Sequence, residues 1–429
     1  MKSFITKILI IFLIIMNSCS ENEKPALPSL KVPNTFGIQT KTDNVTPGDL
    51  EQISDVGFNF IRRGFYWDVI EKETGKYDFS QYDSLYNDAS TRGLRIYAVL
   101  YGGNTLYEDD GLGGIQTEEG RKGFANFAAA LAEHYKGKGI IWEIWNEPNI
   151  GSFWKKGTHN TDEFAKEYTL LVKEVVKAMH DVDPDCFVVA GSVSALWQPS
   201  MNWMEECFEQ GMLSSGINAW SIHPYSHITP EEQANGYNKV RDLLLKHGAE
   251  PSFSLINSER GFTVDSTRKE GWTGGLIEKA DEYMAWHLVR QYLIDLLSDI
   301  RLTIYYEWKG EDFGIVWQKE KRPAYYASVN LVNQLEGYSL KERMKTGSSE
   351  DYILIFENEK GNQKFVAWTA PPPGKSPEHI NSHKIQIPLQ SSNLNVLMSD
   401  IYGEEAVLET QAGKVEILLE GAPKYLSIN

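Results

Sequence analysis

The sequence predicts an α/β fold, a (β/α)8 TIM barrel followed by a C-terminal antiparallel β-sandwich domain. Three observations predict it. The chain has 429 residues, too many for one small domain and enough for a large barrel with a modest partner. From about residue 35, eight apolar, β-rich runs alternate with amphipathic helical stretches. Near residue 340 that alternation gives way to short runs of period two, separated by turn residues.

The first residues stand apart from this pattern. Lys2 and Lys7 form a positive start, and Ile8–Met16 is an apolar run too short to cross a bilayer. The run ends in Asn17-Ser18-Cys19, which resembles a bacterial lipoprotein signal. That resemblance implies lipidation at Cys19 and anchoring in the outer membrane of a bacterial cell envelope, on its periplasmic or outer side. A plain secretory signal is the alternative. Glu21 and Glu23 open a polar stretch that reads as a tether. The expected division is therefore signal peptide 1–18, flexible tether 19–34, barrel 35–340 and β-sandwich 341–429.

The eight strands are expected at Phe36–Gln39, Phe58–Arg62, Arg95–Leu100, Ile140–Asn146, Phe187–Gly191, Ala219–His223, Phe253–Glu259 and Leu302–Glu307. Helical patterns between them include Phe124–Tyr135, Asp162–Met179, Tyr237–Lys246 and Ala280–Leu297. Thr46-Pro47 reads as an N-cap followed by proline at the first helical position. Ser80 is expected to cap the next helix and Gly93 to close it. The sandwich strands are expected at Tyr352–Phe356, Lys364–Thr369, Lys384–Ile387, Asn395–Met398, Ala406–Leu408 and Val415–Leu419. Its few aromatics favour packing on the barrel over an independent glycan-binding role.

Charge narrows the function. The net charge of −17 disfavours nucleic acid and anionic membranes, because phosphate binding needs clustered cations. A neutral partner fits best, and membrane contact is expected only through the lipid anchor. Beyond Cys19, the cysteines are Cys186 and Cys207, which either pair or stay as buried thiols. No spacing suggests a metal site, and no cofactor motif appears.

A closed α/β barrel carries its chemistry at the C-terminal ends of its strands. There the aliphatic runs end in Arg62-Arg63, Asn146-Glu147, His223-Pro224-Tyr225, Glu259 and Glu307-Trp308. Glu147 and Glu259 are the candidate pair for glycosidic cleavage, which needs an acid on the leaving oxygen and a carboxylate across the sugar. At ~5–5.5 Å, the spacing of a retaining enzyme, two carboxylates repel and one proton is kept. Glu147 is then the acid/base and Glu259 the nucleophile. Strand alternation lets only one of Arg62 and Arg63 point inward, and Arg62 is chosen to orient Glu259. Glu143 lies mid-strand, where a buried ion pair is expected. His223 is either an orienting group or a hydrogen-bonded core residue.

Trp142-Glu143-Ile144-Trp145-Asn146-Glu147-Pro148-Asn149 resembles the strand-four signature of clan GH-A glycoside hydrolases. Ile256-Asn257-Ser258-Glu259-Arg260-Gly261 resembles the strand-seven nucleophile segment, and His223-Pro224-Tyr225 the strand-six motif. Arg62 with Trp67, Glu71 and Gly75–Phe79 resembles the strand-two region. Family 39 looks closest within the clan, and family 5 second. The resemblance implies a retaining glycosidase acting by double displacement. It implies that Asn146 contacts the sugar, Tyr225 touches the nucleophile and Trp308 floors the −1 site. Trp154, Trp197, Trp272 and Trp317 follow strand ends and suggest stacking surfaces for an extended carbohydrate. The loop from Val264 to Gly275 is expected to close over substrate. The expected protein is a monomer that hydrolyses a neutral polysaccharide or oligosaccharide. A transglycosylase using the same site, or a non-catalytic glycan-binding lipoprotein, are the alternatives.

Overall fold

The computed structural model describes residues 26–41, 45–108, 113–154, 162–225, 229–264, 277–389 and 395–428. The expected signal, Cys19, Trp272 and nearly all of the segment from Val264 to Gly275 that was expected to close over substrate lie outside the described residues.

Eight parallel strands close a barrel. They are β1 (Phe36–Gln39), β2 (Phe60–Tyr66), β3 (Arg95–Tyr101) and β4 (Ile141–Ile144). β5 (Phe187–Ser194), β6 (Ala219–His223), β7 (Ser254–Arg260) and β8 (Thr303–Tyr305) complete it. One main helix follows each strand: α1 (Pro47–Val56), α2 (Ser80–Ser90), α3 (Glu118–His134) and α4 (Asp162–Val182). The others are α5 (Gln198–Glu209), α6 (Pro230–Lys246), α7 (Ala280–Leu297) and α8 (Pro323–Leu335).

Local chemistry sets these boundaries. At α1, Thr46 and Asp49 form a reciprocal capping box with Pro47 at the first position. Ser80 turns out to be the first residue of α2, not its cap. Phe79 holds the cap position, and the Asp78 carboxylate accepts the Ser80 backbone N–H at 3.0 Å. In α4 the buried residues Phe164, Ala165, Tyr168, Leu171, Val172, Val175, Val176 and Met179 recur at helical spacing and form one stripe. α7 is buried almost all round, from Tyr283 to Leu296, because a second layer covers its outward face.

The barrel floor is a layer of Phe60, Tyr97, Ile141, Val189, Ala219, Ile256, Leu302 and Ile304. At the β1 position of this layer stands Gly37, where a Cβ would lie 2.4 Å from Ile304 Cδ1 and 2.8 Å from Phe60 Cβ. Leu27 packs against the layer from outside. Residues 26–34, expected as the end of a tether, instead run across this end of the barrel. Arg95 donates to the Ala26 carbonyl at 3.1 Å, Arg301 to Pro28 at 3.3 Å, and the Val32 N–H to Tyr338 at 2.9 Å.

The C-terminal strands are β9 (Tyr338–Arg343), β10 (Asp351–Asn358), β11 (Gln363–Thr369), β12 (His383–Pro388) and β13 (Val396–Ser399). β14 (Glu405–Leu408), β15 (Thr410–Gln411), β16 (Lys414–Leu419) and β17 (Lys424–Ile428) follow. They form an antiparallel six-stranded sheet, β9-β10-β11-β17-β13-β14, and a three-stranded sheet, β12-β16-β15. Alternation divides β10 between two cores. Tyr352, Leu354 and Phe356 join the barrel's core, while Ile353 and Ile355 join Ile387, Val415 and Ile417 of the small sheet. A polar seam pins the layers: Arg290 holds Glu231 through two bonds of 2.7 Å, and Trp368 Nε1 donates to the same carboxylate at 2.8 Å. Trp368 stacks on Tyr352 at 4.9 Å. Cys186 and Cys207 are both free and buried, so the open choice between pairing and free thiols is settled.

Candidate active site

Arg62 occupies the inward face of β2, in the alternating series Phe60, Arg62, Gly64, Tyr66. Arg63 lies on the other face, where its charge acts on Tyr82. The Arg62 guanidinium is buried and fully engaged. Nε and Nη2 donate to Glu143 Oε2 at 3.0 and 2.7 Å, and Nη1 donates to Glu259 Oε2 at 2.6 Å. Nη1 also reaches Gln39 Oε1 at 2.9 Å, and Nη2 reaches Asn146 Oδ1 at 2.8 Å. Burial opposes the guanidinium charge, yet Glu143 and Glu259 outweigh it and raise its pKa. Burial likewise opposes ionisation of Glu143, and Arg62 outweighs it, so the Glu143 carboxyl lies below the usual range. Tyr97 donates to its other oxygen at 2.8 Å. Glu143 is thus a structural ion-pair partner, as its mid-strand place suggested.

Because Asn146 spends its carbonyl on Arg62, its amide NH2 is left to face the cleft that Asn146 lines. Glu147 follows with left-handed backbone, φ +46, two residues after Trp145 at φ +71. Such conformations are costly for residues with a Cβ and persist only where surroundings enforce them. Here Trp145 is wedged against Tyr101 and Trp154, and its Nε1 donates to the Phe153 carbonyl at 3.0 Å. Ser192 Oγ accepts the Glu147 N–H at 3.1 Å and donates to the Trp145 carbonyl at 3.2 Å. Asn149 adds a stitch from this turn to Ser194 and Ser200.

Two bulges aim these groups. On β5, Ala190 pairs with Trp220 and Val193 with Ile222, so β5 carries one extra residue around Gly191 and Ser192. On β7, Asn257 pairs with Thr303 and Arg260 with Tyr305, again one extra residue. Strict alternation from Ile256 would send Ser258 and Arg260 inward. The bulge sends Glu259 into the mouth and leaves Arg260 buried in the wall.

His223 Nδ1 lies 3.0 Å from Glu147 Oε1, and its Nε2 lies 3.4 Å from Arg62 Nη2. Arginine only donates, so Nε2 accepts and the neutral ring carries its proton on Nδ1, directed at Glu147. Tyr225 donates to Glu259 Oε1 at 3.1 Å. Burial, reinforced by the Glu259 charge, pushes the Tyr225 hydroxyl well up, so it stays a donor. Ligand atoms of Glu147, His223 and Glu259 all lie within 4.8 Å of one another. These residue types also bind metals. Here Arg62 already sets a fixed positive charge against Glu259.

The mouth opens as a cleft of about 530 Å³ lined by Arg62, Asn146 and Glu259 with Gln39, Lys41, Tyr66, Tyr101, Phe153 and Tyr306. Trp308 is not in its wall. It is fully buried, donates from Nε1 to Asp49 at 3.1 Å and packs on Tyr325. The lining aromatic after β8 is Tyr306, which continues the inward series Leu302, Ile304. Sequence reasoning missed Gln39, Lys41, Tyr101 and Tyr306. Period-two alternation carried along β1, β3 and β8 would have found them. Among the tryptophans, Trp154 is buried with Nε1 on Glu167, and Trp317 is half-buried. Trp197 is 58% exposed at the end of β5. Trp67 and Glu71 are joined by a 2.6 Å bond and brace a hairpin beside the mouth.

Comparison with known proteins places the chain among glycoside hydrolases. A family model described as cellulase (glycosyl hydrolase family 5) matches residues 19–290. An endo-1,4-beta-xylanase of Agaricus bisporus is 28% identical over 156 residues, 34% of this chain. The match spans 45% of that relative's length. Among solved structures, a family 39 glycoside hydrolase from the gut symbiont Bacteroides cellulosilyticus WH2 superposes with a TM-score of 0.75 at 21% identity, over 92% of this chain and 81% of that one. A monomeric beta-xylosidase from Caulobacter crescentus CB15 gives a TM-score of 0.66 at 14% identity, over 95% of this chain and 98% of that one. A family 51 alpha-L-arabinofuranosidase from Bifidobacterium longum gives 0.64 at 13%, over 94% and 98%. At these identities the structures share the fold.

Proposed function

The chain belongs to the cellulase family, glycosyl hydrolase family 5, within clan GH-A, and from that premise we propose a retaining glycosidase with Glu147 as acid/base and Glu259 as nucleophile. The observation that carries this reading is the approach of the two carboxylates, whose nearest oxygens lie within 4.8 Å in the barrel mouth. Retaining enzymes set their carboxyls about 5–5.5 Å apart, while inverting enzymes need about 6.5–9.5 Å to admit a water.

The surroundings give the two groups different work. Glu259 has an oxygen on Arg62 and an oxygen on Tyr225, which fixes the plane of its attack. Glu147 accepts from His223 at Oε1, leaving Oε2 to carry the mobile proton. In the first step a Glu259 oxygen bonds to the anomeric carbon as the glycosidic C–O bond breaks. Glu147 passes its proton to the leaving oxygen. In the second step Glu147 takes a proton from water, whose oxygen bonds to the anomeric carbon, and Glu259 leaves as a carboxylate. Asn146 offers its amide to the sugar, and Tyr306 takes the place beneath it that Trp308 was expected to fill. Exposed Trp197 offers a stacking face further along.

A neutral polysaccharide or oligosaccharide is the proposed substrate class, with xylan foremost because the fungal relative and one superposed structure carry xylanase and xylosidase names. Digestion of a polysaccharide panel by wild type, Glu147→Gln and Glu259→Gln tests the assignment. Each variant should lose at least about 100-fold in rate, the scale of a lost acid–base group. Full activity in either variant would remove that glutamate from its role.

A further inference from the structure

Lys41 stands just beyond β1, two residues after Gln39, and so on the same inward face. Its Nζ lies 2.7 Å from Glu307 Oε2 and 3.0 Å from Oε1, and 5.1 Å from the centre of the Tyr306 ring. The two partners differ in access. The Glu307 side chain is 4% exposed, and the Lys41 side chain is 42% exposed and lines the cleft. The carboxylate is therefore the buried anchor, and the ammonium is the group presented to a ligand.

Position tells which part of a ligand it meets. Glu147, in the turn that follows β4, must touch the leaving oxygen, so the departing sugar lies towards β4 and β5. The β1 and β8 side, where Lys41 and Glu307 sit, is left to the glycone. Charge tells what kind of glycone. Around the cleft, with Glu147 holding its proton, three carboxylates (Glu143, Glu259 and Glu307) stand against two cations (Arg62 and Lys41). Arg62 is consumed by Glu143 and Glu259, and Glu307 cancels the charge of Lys41. A uronate would meet net repulsion, whereas a hydroxyl oxygen still gains a charge-assisted hydrogen bond from the ammonium.

We propose that Lys41 is a specificity-determining residue that donates to a ring hydroxyl of a neutral glycone, with Glu307 as its positioning residue. This rests on the retaining-glycosidase reading above. Glu307 does two things: it holds the ammonium against Tyr306, and it prevents the site from selecting acidic sugars. Specificity of this kind rests on the charge-assisted hydrogen bond from the ammonium, which an analogue lacking the hydroxyl cannot accept.

The test compares purified wild type, Glu259→Ala, Lys41→Met and Glu307→Gln on 4-nitrophenyl xyloside, glucoside and glucuronide, with the monodeoxy forms of the neutral sugars. Lys41→Met should lower kcat/KM on the preferred neutral sugar about 10- to 100-fold, the scale of one charge-assisted hydrogen bond. On one monodeoxy sugar it should match wild type, erasing the discrimination at that hydroxyl. Glu307→Gln should raise the glucuronide-to-glucoside ratio about tenfold, a shift that lost packing would not produce. Equal losses on every sugar, or no change with Lys41→Met, would overturn the proposal while leaving the glycosidase reading intact. A wild type no more active than Glu259→Ala on every sugar would overturn both.

Discussion

Five polar side chains converge on one guanidinium: Gln39, Glu143, Asn146, His223 and Glu259 all meet Arg62. They come from β1, β4, β6 and β7, so this residue sets the spacing of the site from its centre. A lysine could match the charge but not the fork, since an ammonium is a point donor and guanidinium is a planar array of five. Arg62→Lys should lower kcat about 100-fold or more, the cost of misplacing a reacting group by about 1 Å. It should also destabilise the fold by about 1–3 kcal/mol, because an ammonium cannot satisfy all the buried acceptors that the guanidinium reaches. Steady-state kinetics and chemical denaturation on the same variant check both outcomes. Unchanged kcat would mean that Glu259 is oriented by Tyr225 alone.

Among the elements, β8 shows how a strand end divides its aromatics between support and chemistry. Tyr306 lines the cleft, while Trp308 turns back to the α1 cap and donates to Asp49, which also accepts from Lys309. The α1 capping box is thereby tied to the strand that closes the barrel. Two substitutions separate the roles. Trp308→Phe should lower stability by about 1–3 kcal/mol, since Asp49 loses a donor in a buried setting, and should leave KM unchanged. Tyr306→Ala should raise KM or lower kcat/KM about tenfold or more through loss of a ring that lines the cleft. A KM change confined to Trp308→Phe would restore Trp308 as the sugar floor. The bulges on β5 and β7 act at the same level, each spending one extra residue to re-aim a functional side chain.

For the whole molecule, burial couples stability to pH through Asp295 in the wall between strands and helices. Its carboxylate meets Asn257 at 2.7 Å on β7, Tyr237 at 2.7 Å on α6 and Thr303 at 3.0 Å on β8. Burial outweighs these hydrogen bonds and pushes the carboxyl up from 3.8 to about 6. The folded state therefore binds this proton more tightly than the unfolded chain. The contribution is fully present below pH 3.8 and is lost as pH rises through about 6. It amounts to on the order of 3 kcal/mol. Asp295→Asn should remove it, so the difference in unfolding free energy between wild type and variant should vary across that window and flatten above it. A constant difference from pH 3.5 to 7, within roughly 0.5 kcal/mol, would show that Asp295 does not titrate there. The six-stranded sheet belongs to the same body. Its Tyr352–Trp368 face is continuous with the barrel core, which is why α7 has no polar outer stripe.

The sequence by itself determined the barrel, the order of its strands and the placing of Glu147 and Glu259 at strand ends. Those features are local: hydrophobic period, turn residues, and short motifs such as Trp145-Asn146-Glu147-Pro148 at a strand end. It also limited the inward arginine to one of Arg62 and Arg63 by alternation, and the spacing from Trp67 pointed to Arg62. Tertiary structure decided what depends on a neighbour. Trp308 and Tyr306 sit two residues apart and both suit a sugar, and only the packing of α1 and α8 against the strand end sends one inward and the other away. The extra residues at Gly191 and Ser258 are invisible within their own strands, since a bulge exists only relative to the partner's register. Residues 26–34 read as a tether by composition, and they are ordered by carbonyl bonds to Arg95 and Arg301, about 70 and 270 residues away. Periodicity is a property of a segment, whereas register, burial and charge pairing are properties of a contact.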